Sequence, residues 1–313
     1  MNYKFIFKLV VFFACLVLID IMCGLCLDKI RALSFSHHIE ADDYKADFMV
    51  EKVLSDVVIV GSSTASHHYI PEVMEKELNL SVYNCGIDGC FFLQQTELIY
   101  LLLQRHHPKI IIWEIGEHPL STAVEKEYQS INRFYPFYYI QHTKEFVDGK
   151  DVYQKYRMLS QLYRHNSTLH TYVFEMLRQP SLQSLNGYIP LEARKNFPSM
   201  ITSIENGKID ARRIDVLNNT IDLCRESGIL LVVTSSPRYY SESILDSKDY
   251  RMLIEFLQKK DVPYVDFFSI FKTKPELFYD NDHLNDDGTR KYMDLFVPEL
   301  KKIITEKGLK NKM

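Results

Sequence analysis

The chain has 313 residues, of which 46% are hydrophobic and 25% charged, with a formal net charge of −4. That is ordinary composition for a globular protein, with length for one large α/β domain or two small ones. Near-neutral charge gives no basic footprint for nucleic acid, and there is no internal repeat, low-complexity run or long charged tail.

The first segment differs from the rest. From Leu9 to Leu27 there are 19 residues with one charge, Asp20. A helix needs roughly 20 apolar residues to cross a bilayer. Lys4 and Lys8 precede the run, so the positive-inside rule predicts a cytoplasmic N-terminus and an extracytoplasmic body. Asp20 is a cost that a position near the outer end reduces. A cleaved signal peptide is the alternative, but no small-x-small cleavage site precedes Asp28. Cys23 and Cys26 suggest a lipoprotein, against which stand the large Met22 and Leu25 before them. The expected organisation is an anchor over 1–28, a polar linker over 29–54 and a body over 55–313.

In the body, Val57 to Val60 is a short apolar block ending in Gly61-Ser62-Ser63, as a buried parallel strand would. Tyr69 to Leu80 has helical spacing, with Pro71 suited to a first turn. Ser81 to Asn84 is a second strand, Phe92 to Gln104 a helix, and Ile110 to Ile115 a third strand. Residues from about 117 to 205 break the rhythm. They are rich in Tyr, Phe, His and Gln and are expected to form a mainly helical insertion or cap. Alternation resumes with a helix over 210–227, capped by Gly228, a strand over 229–234, a helix over 248–260, a strand over 263–267 and a helix over 287–304. Five strand–helix alternations predict a three-layer α/β/α sandwich around a mostly parallel five-stranded sheet of flavodoxin-like type. Its ligand site belongs at the carboxyl ends of the strands.

Two stretches there carry chemistry. Ser63 ends the Gly-Ser-Ser turn between a strand and a helix, where a nucleophile is exposed and free backbone N–H groups favour an oxyanion. A Ser-rich helix cap is the plain alternative. Near the C-terminus, His283 is the candidate general base, and Asp280 the carboxylate that fixes its tautomer. Asp282 competes with Asp280 for that role, but residues adjacent in sequence rarely point the same way.

These blocks resemble the SGNH (GDSL-like) hydrolase superfamily: Gly61-Ser62-Ser63 after the first strand, Asn84-Cys85-Gly86 after the second and Asp280-x-x-His283 before the last helix. The resemblance spans about residues 55–116 and 205–305. It implies Ser63 as nucleophile, Gly86 as an oxyanion-hole donor through its N–H beside that of Ser63, and Asp280 and His283 as the triad partners. The third block departs: Ile115-Gly116-Glu117-His118 places His118 where the family has an oxyanion Asn. Together with the anchor, the pattern is similar to the membrane-anchored branch that includes DltD and the alginate acetylation proteins. That likeness implies action on ester-linked acyl groups, acetyl above all, of a cell-envelope or exported polysaccharide, as an esterase or O-acyltransferase beside a membrane-bound O-acyltransferase. In a Gram-negative cell the body would be periplasmic. The alternative is an anchored, non-catalytic glycan-binding or assembly factor with a degenerate site.

Arg238, at the end of the fourth strand, and Tyr135, in the aromatic run Arg133 to Tyr139, are candidate substrate contacts, for an anionic group and a sugar ring respectively. The plain alternatives are a surface Arg and aromatic packing. No metal or cofactor is expected: His67 and His68 are adjacent and do not share a helix face, cysteine spacing does not match zinc, and nucleotide-binding motifs are missing. Cys85, Cys90 and Cys224 are expected as buried thiols, with a Cys85–Cys90 disulfide conceivable.

Overall fold

A computed structural model describes residues 3–37, 44–116, 119–121, 128–166, 168–177, 185–194, 196, 198–202, 207–241 and 245–308. In chain order the helices are α1 Tyr3–His37, α2 Lys45–Glu51, α3 Ser63–His68, α4 Pro71–Leu78, α5 Phe92–Leu103, α6 Gln141–Asp148, α7 Gln154–Arg157, α8 Leu169–Leu177, α9 Ala211–Glu226, α10 Lys248–Lys259 and α11 Asp286–Glu306. The strands are β1 Val57–Val60, β2 Val82–Asn84, β3 Ile110–Glu114, β4 Leu230–Ser235 and β5 Tyr264–Asp266. They fall into two compact units. One joins Met1–Tyr44 to Ser130–Leu182, and the other joins Lys45–Gln129 to Gln183–Met313.

The second unit is built on a wholly parallel sheet in the order β2-β1-β3-β4-β5. Parallel strands are covered on both faces, which is why β1 and the first four residues of β3 read as apolar blocks, and both strands are buried throughout. The alternation of a strand decides which residue faces which layer. Val57, Ile59, Ile110, Ile112 and Val232 join the core formed with Tyr69, Met74, Tyr292, Phe296 and Leu300, from the α3–α4 segment and α11. On the opposite face, Trp113 stacks on Phe92 at 5.5 Å and donates its indole N–H to Gln95 at 2.8 Å, both in α5. Helices α2 and α9 pack on α5 there, and α3 and α4 pack on α11. The expected three-layer sandwich is the fold.

Gly228 takes φ +71 directly after α9, the left-handed conformation of a helix stop. The structure differs from the expected organisation in three places. Helix α3 precedes the helix read from Tyr69 onward, because Ser63–His68 has too few apolar residues to show a period. The 29–54 stretch is not a plain linker: α1 continues to His37, and α2 buries Lys45, Ala46, Asp47, Met49 and Val50. Finally, the insertion groups with the N-terminal segment over 130–182 and not over the whole of 117–205.

The first unit is helical. α1 carries a run long and apolar enough to cross a membrane, Tyr3–Ser36. Its far end is tied to the insertion, where Ser34 Oγ donates to the Tyr172 carbonyl at 2.9 Å and accepts from Tyr44 OH at 2.7 Å.

Candidate active site

β1 delivers the chain to Gly61, and α3 starts at Ser63. A Cβ at Gly61 would lie 2.8 Å from the Glu114 carbonyl oxygen and 2.7 Å from the Ala65 Cβ, so only glycine lets the turn pass between β3 and α3. Asn285 caps α11, accepting from Gly288 N at 2.9 Å. The preceding loop is closed by Tyr279 N donating to the His283 carbonyl at 2.8 Å.

Within that loop the Asp-x-x-His spacing acts as a local clamp. Asp280 Oδ1 accepts from the backbone N–H groups of Asp282 and His283, both at 2.9 Å, and from His283 Nδ1 at 2.8 Å. A carboxylate can only accept, so Nδ1 carries the proton and Nε2 presents its lone pair. Nε2 lies 2.7 Å from Ser63 Oγ, which donates to it. The sequence-predicted Ser63, His283 and Asp280 thus come together in hydrogen-bonded order at the carboxyl ends of the strands. Burial would raise the Asp280 carboxyl, but the hydrogen bond and charge of His283 and the two backbone donors outweigh it and hold Asp280 below the usual carboxylate range.

Asp282 is claimed elsewhere. It accepts from Arg238 Nη1 at 2.9 Å and Tyr240 OH at 2.6 Å. Arg238 is 5% exposed, and its guanidinium also reaches Thr64 Oγ1 at 3.4 Å, next to Ser63. Arg238 therefore braces the site from inside and does not stand open to an anionic substrate, as the sequence suggested. Tyr135 is likewise corrected. It is 4% exposed in the interior of the first unit, where its hydroxyl accepts from Gln154 at 2.9 Å and its ring tilts against Tyr163. Phe134, Phe137 and Tyr138 are buried with it, and only Tyr139 of the run's aromatics is exposed.

Of the expected oxyanion donors, Ser63 opens α3, where the first N–H groups have no intrahelical acceptor. Gly86 does not offer its N–H: it donates to Asn84 Oδ1 at 2.9 Å. Asn84 is fully buried, and its amide donates in turn to the carbonyls of Ala65 at 2.7 Å and Tyr69 at 3.0 Å. It stitches the loop after β2 to α3. Further along that loop Gly89 is exposed, has φ +64, and its N–H meets no acceptor among the described residues. His118 lies outside the described residues.

Gly86 is structural for a steric reason. A Cβ there would sit 2.2 Å from Ser66 N and 2.6 Å from Ala65 C, inside the backbone of α3. Gly86→Ala is expected to cost about 1–3 kcal/mol by overpacking. Thermal melting should show the loss.

Sequence reasoning missed three supporting groups. Lys45 is 2% exposed, and its ammonium donates to Ser66 Oγ at 2.9 Å, Gly86 O at 3.1 Å and Gly187 O at 2.8 Å. Three acceptors match its three protons and tie α2 to α3 and the loop after β2. His68 and Glu114 form the second support. Leu284 N donates to His68 Nε2 at 2.8 Å, so His68 Nδ1 holds the proton and donates to Ser236 Oγ at 2.7 Å. Ser236 Oγ then donates to Glu114 Oε1 at 2.9 Å, and Tyr69 OH donates to Oε2 at 2.5 Å. This chain runs from the residue after His283 to the end of β3. Burial, then the charges of His283, Arg238 and His67, push His68 far below its ordinary value and keep it neutral. Burial pushes Glu114 up to about 7, against the pull of Arg238 and its own donors.

His67 turns away from its neighbour. Its Nδ1 donates to Ile189 O at 2.7 Å, Nε2 is 3.6 Å from Asp88, and its ring meets that of His283 edge-on at 5.2 Å. Among the described residues no group of three His, Cys, Asp or Glu side chains is gathered for a metal ion. Cys85, Cys90 and Cys224 are buried thiols, not joined in a disulfide.

No protein-family model matches this chain, and no curated protein matches it in sequence. Solved structures similar to it include a protein described as an acylhydrolase from Bacteroides fragilis, with a TM-score of 0.41 and 13% identity over 83% of this chain and 95% of that one. Another is a protein described as a lipolytic member of the G-D-S-L family from Desulfitobacterium hafniense, at 0.40 and 10% over 77% and 97%. A third is a mutant of the esterase AlinE4, at 0.36 and 12% over 80% and 94%.

Proposed function

We propose that this chain is a membrane-anchored serine acyl hydrolase or acyltransferase of the SGNH type, with Ser63 as nucleophile. The observation that carries the reading is the 2.7 Å contact from Ser63 Oγ to His283 Nε2, backed by the 2.8 Å contact from His283 Nδ1 to Asp280. Ser63 Oγ attacks the ester carbonyl as its proton passes to Nε2. A carbon–oxygen bond forms, and the carbonyl oxygen becomes an oxyanion. The N–H of Ser63 at the start of α3, and that of Gly89 further along the loop after β2, are the main-chain donors assigned to it. Collapse expels the alcohol, which takes the proton back from His283, and leaves an acyl-serine. Water or a sugar hydroxyl, deprotonated by the same imidazole, then resolves it. Hydrolysis and transfer differ only in that acceptor.

The substrate assigned is an O-acylated, above all O-acetylated, envelope polysaccharide outside the cytoplasm. The support is the motif resemblance and the Lys4–Lys8 charge bias before the apolar run. Retention of α1 as an anchor is favoured by Asp20, whose carboxylate is bound by donors of the folded insertion. A fluorophosphonate reporter tests the nucleophile directly. The full-length chain in detergent should label with one adduct at Ser63, and Ser63→Ala should not label. A native chain that stays unlabelled would favour the non-catalytic glycan-binding reading. Acetate release from an O-acetylated glycan checks the substrate class separately.

A further inference from the structure

Asp20 lies inside the apolar run of α1, seven positions before Leu27, or about 10 Å along a helix rising 1.5 Å per residue. Its carboxylate accepts from Ser160 Oγ at 2.5 Å, Gln161 N at 2.7 Å and Leu162 N at 3.2 Å. One turn on, Gly24 lets the same segment lie against the helix: a Cβ there would fall 2.2 Å from Gln161 Cβ. The contact continues up α1, with Asp28 at 3.3 Å from His165 Nε2 and Ser34 bonded to the Tyr172 carbonyl.

The side chains beside this seam are apolar and uncovered. Leu159 is 75% exposed and Leu162 41%. Helix α8 buries Tyr172 and Glu175 and leaves Leu169, Val173 and Leu177 on one outer stripe, at 49%, 49% and 80% exposure, with Phe174 beside them at 60%. A contiguous apolar surface of this kind marks an interaction site. This one continues the exposed apolar surface of α1 itself, where Met22 and Leu25 are 68% and 59% exposed.

We propose that the insertion is a second membrane element: the 159–162 segment and the outer stripe of α8 sit in the lipid leaflet at the C-terminal end of α1. The occupant of the surface is lipid. A segment held to Asp20 is held at the depth of Asp20, and hydrocarbon accepts Leu159 and Leu162 there. The same contact answers the cost of a carboxylate within the run, because its oxygens and two backbone N–H groups satisfy each other where water is scarce. The level of Ser34, roughly 10 Å beyond Leu27, belongs to the headgroup region, where an amphipathic helix lies. This proposal rests on α1 being a retained anchor.

Tryptophan quenching tests it with the full-length chain in phosphatidylcholine liposomes whose acyl chains carry bromine. The chain has one tryptophan, Trp113, buried in the sheet, so the unsubstituted protein supplies the background. Leu162→Trp and Phe174→Trp report on the insertion, and Phe12→Trp reports on α1. The expected result is that the added emission of all three is at least halved by brominated lipid, Phe174→Trp responding most to bromine near the headgroups and Leu162→Trp to bromine deeper along the acyl chains. Quenching of Phe12→Trp with either insertion tryptophan unquenched would overturn the proposal while leaving the anchor in place. If Phe12→Trp is also unquenched, the anchor reading fails and the proposal falls with it.

Discussion

Ser63→Ala in the full-length chain should lower kcat for p-nitrophenyl acetate by roughly 10⁴-fold or more, the scale seen when a triad member is removed. Its melting temperature should stay close to that of the native chain, since the lost hydroxyl is hydrogen-bonded to His283 alone among the described residues. Asp280→Asn is the graded companion. Its Oδ1 can still accept from the N–H groups of Asp282 and His283, so the loop keeps its shape. What changes is the charge beside the imidazole: the amide oxygen that keeps those two donors also keeps the one from Nδ1, but a neutral amide no longer stabilises the cation formed during attack. A loss of roughly 10²–10⁴ in kcat is expected, with KM little changed, because that charge acts in the transition state. Progress curves at saturating ester give the numbers. A Ser63→Ala protein that keeps more than a tenth of the native rate would remove Ser63 from the mechanism.

The route to those residues shows what a sequence carries. The strands announce themselves because a buried parallel strand has no polar face, and Val57–Val60 and Ile110–Ile112 leave little else to read. Ser63 and His283 are legible from their places after strands and before helices, and Asp280 from its spacing to His283, since a loop of that length closes on itself. The supporting groups are not legible, for one physical reason: each is defined by partners far away in the chain. Glu114 looks like the polar end of a strand until Ser236, 122 positions on, is seen to donate to it. Lys45 sits in a stretch that reads as polar linker, and only folding gathers carbonyls from residues 86 and 187 around its ammonium. Asn84 and Gly86 stand out as a motif, but the motif does not say that the N–H of Gly86 serves the side chain of Asn84. Arg238 and Tyr135 mislead in the opposite direction. A guanidinium at a strand end and an aromatic cluster suggest binding, and both turn out to be held inside by their own neighbours.

Glu114→Gln should make the protein's stability less dependent on pH, in a direction that the burial of Glu114 fixes. The Glu114 carboxyl has an ordinary value of 4.5 and is pushed up to about 7 in the folded chain, first by burial. A raised acid holds its proton more tightly in the folded state than in the unfolded one. Its stabilising contribution is therefore complete below about pH 4.5 and disappears as the pH rises through about 7. A displacement of that size corresponds to about 3 kcal/mol at roughly 1.4 kcal/mol per pH unit. Glutamine has no proton to lose. Its carbonyl, at the Oε1 position, can keep the Ser236 N–H and hydroxyl donors, and its NH₂ can donate to the Tyr69 hydroxyl, which has Thr234 Oγ1 within 3.3 Å as another acceptor. Between pH 5 and pH 8 the melting temperature of the native chain should fall by several degrees relative to Glu114→Gln, read by thermal denaturation of both proteins in the same detergent at each pH. Parallel curves would mean that Glu114 titrates as an ordinary carboxylate. In that case the chain from Glu114 through Ser236 and His68 to the residue after His283 would carry a fixed negative charge across the whole range.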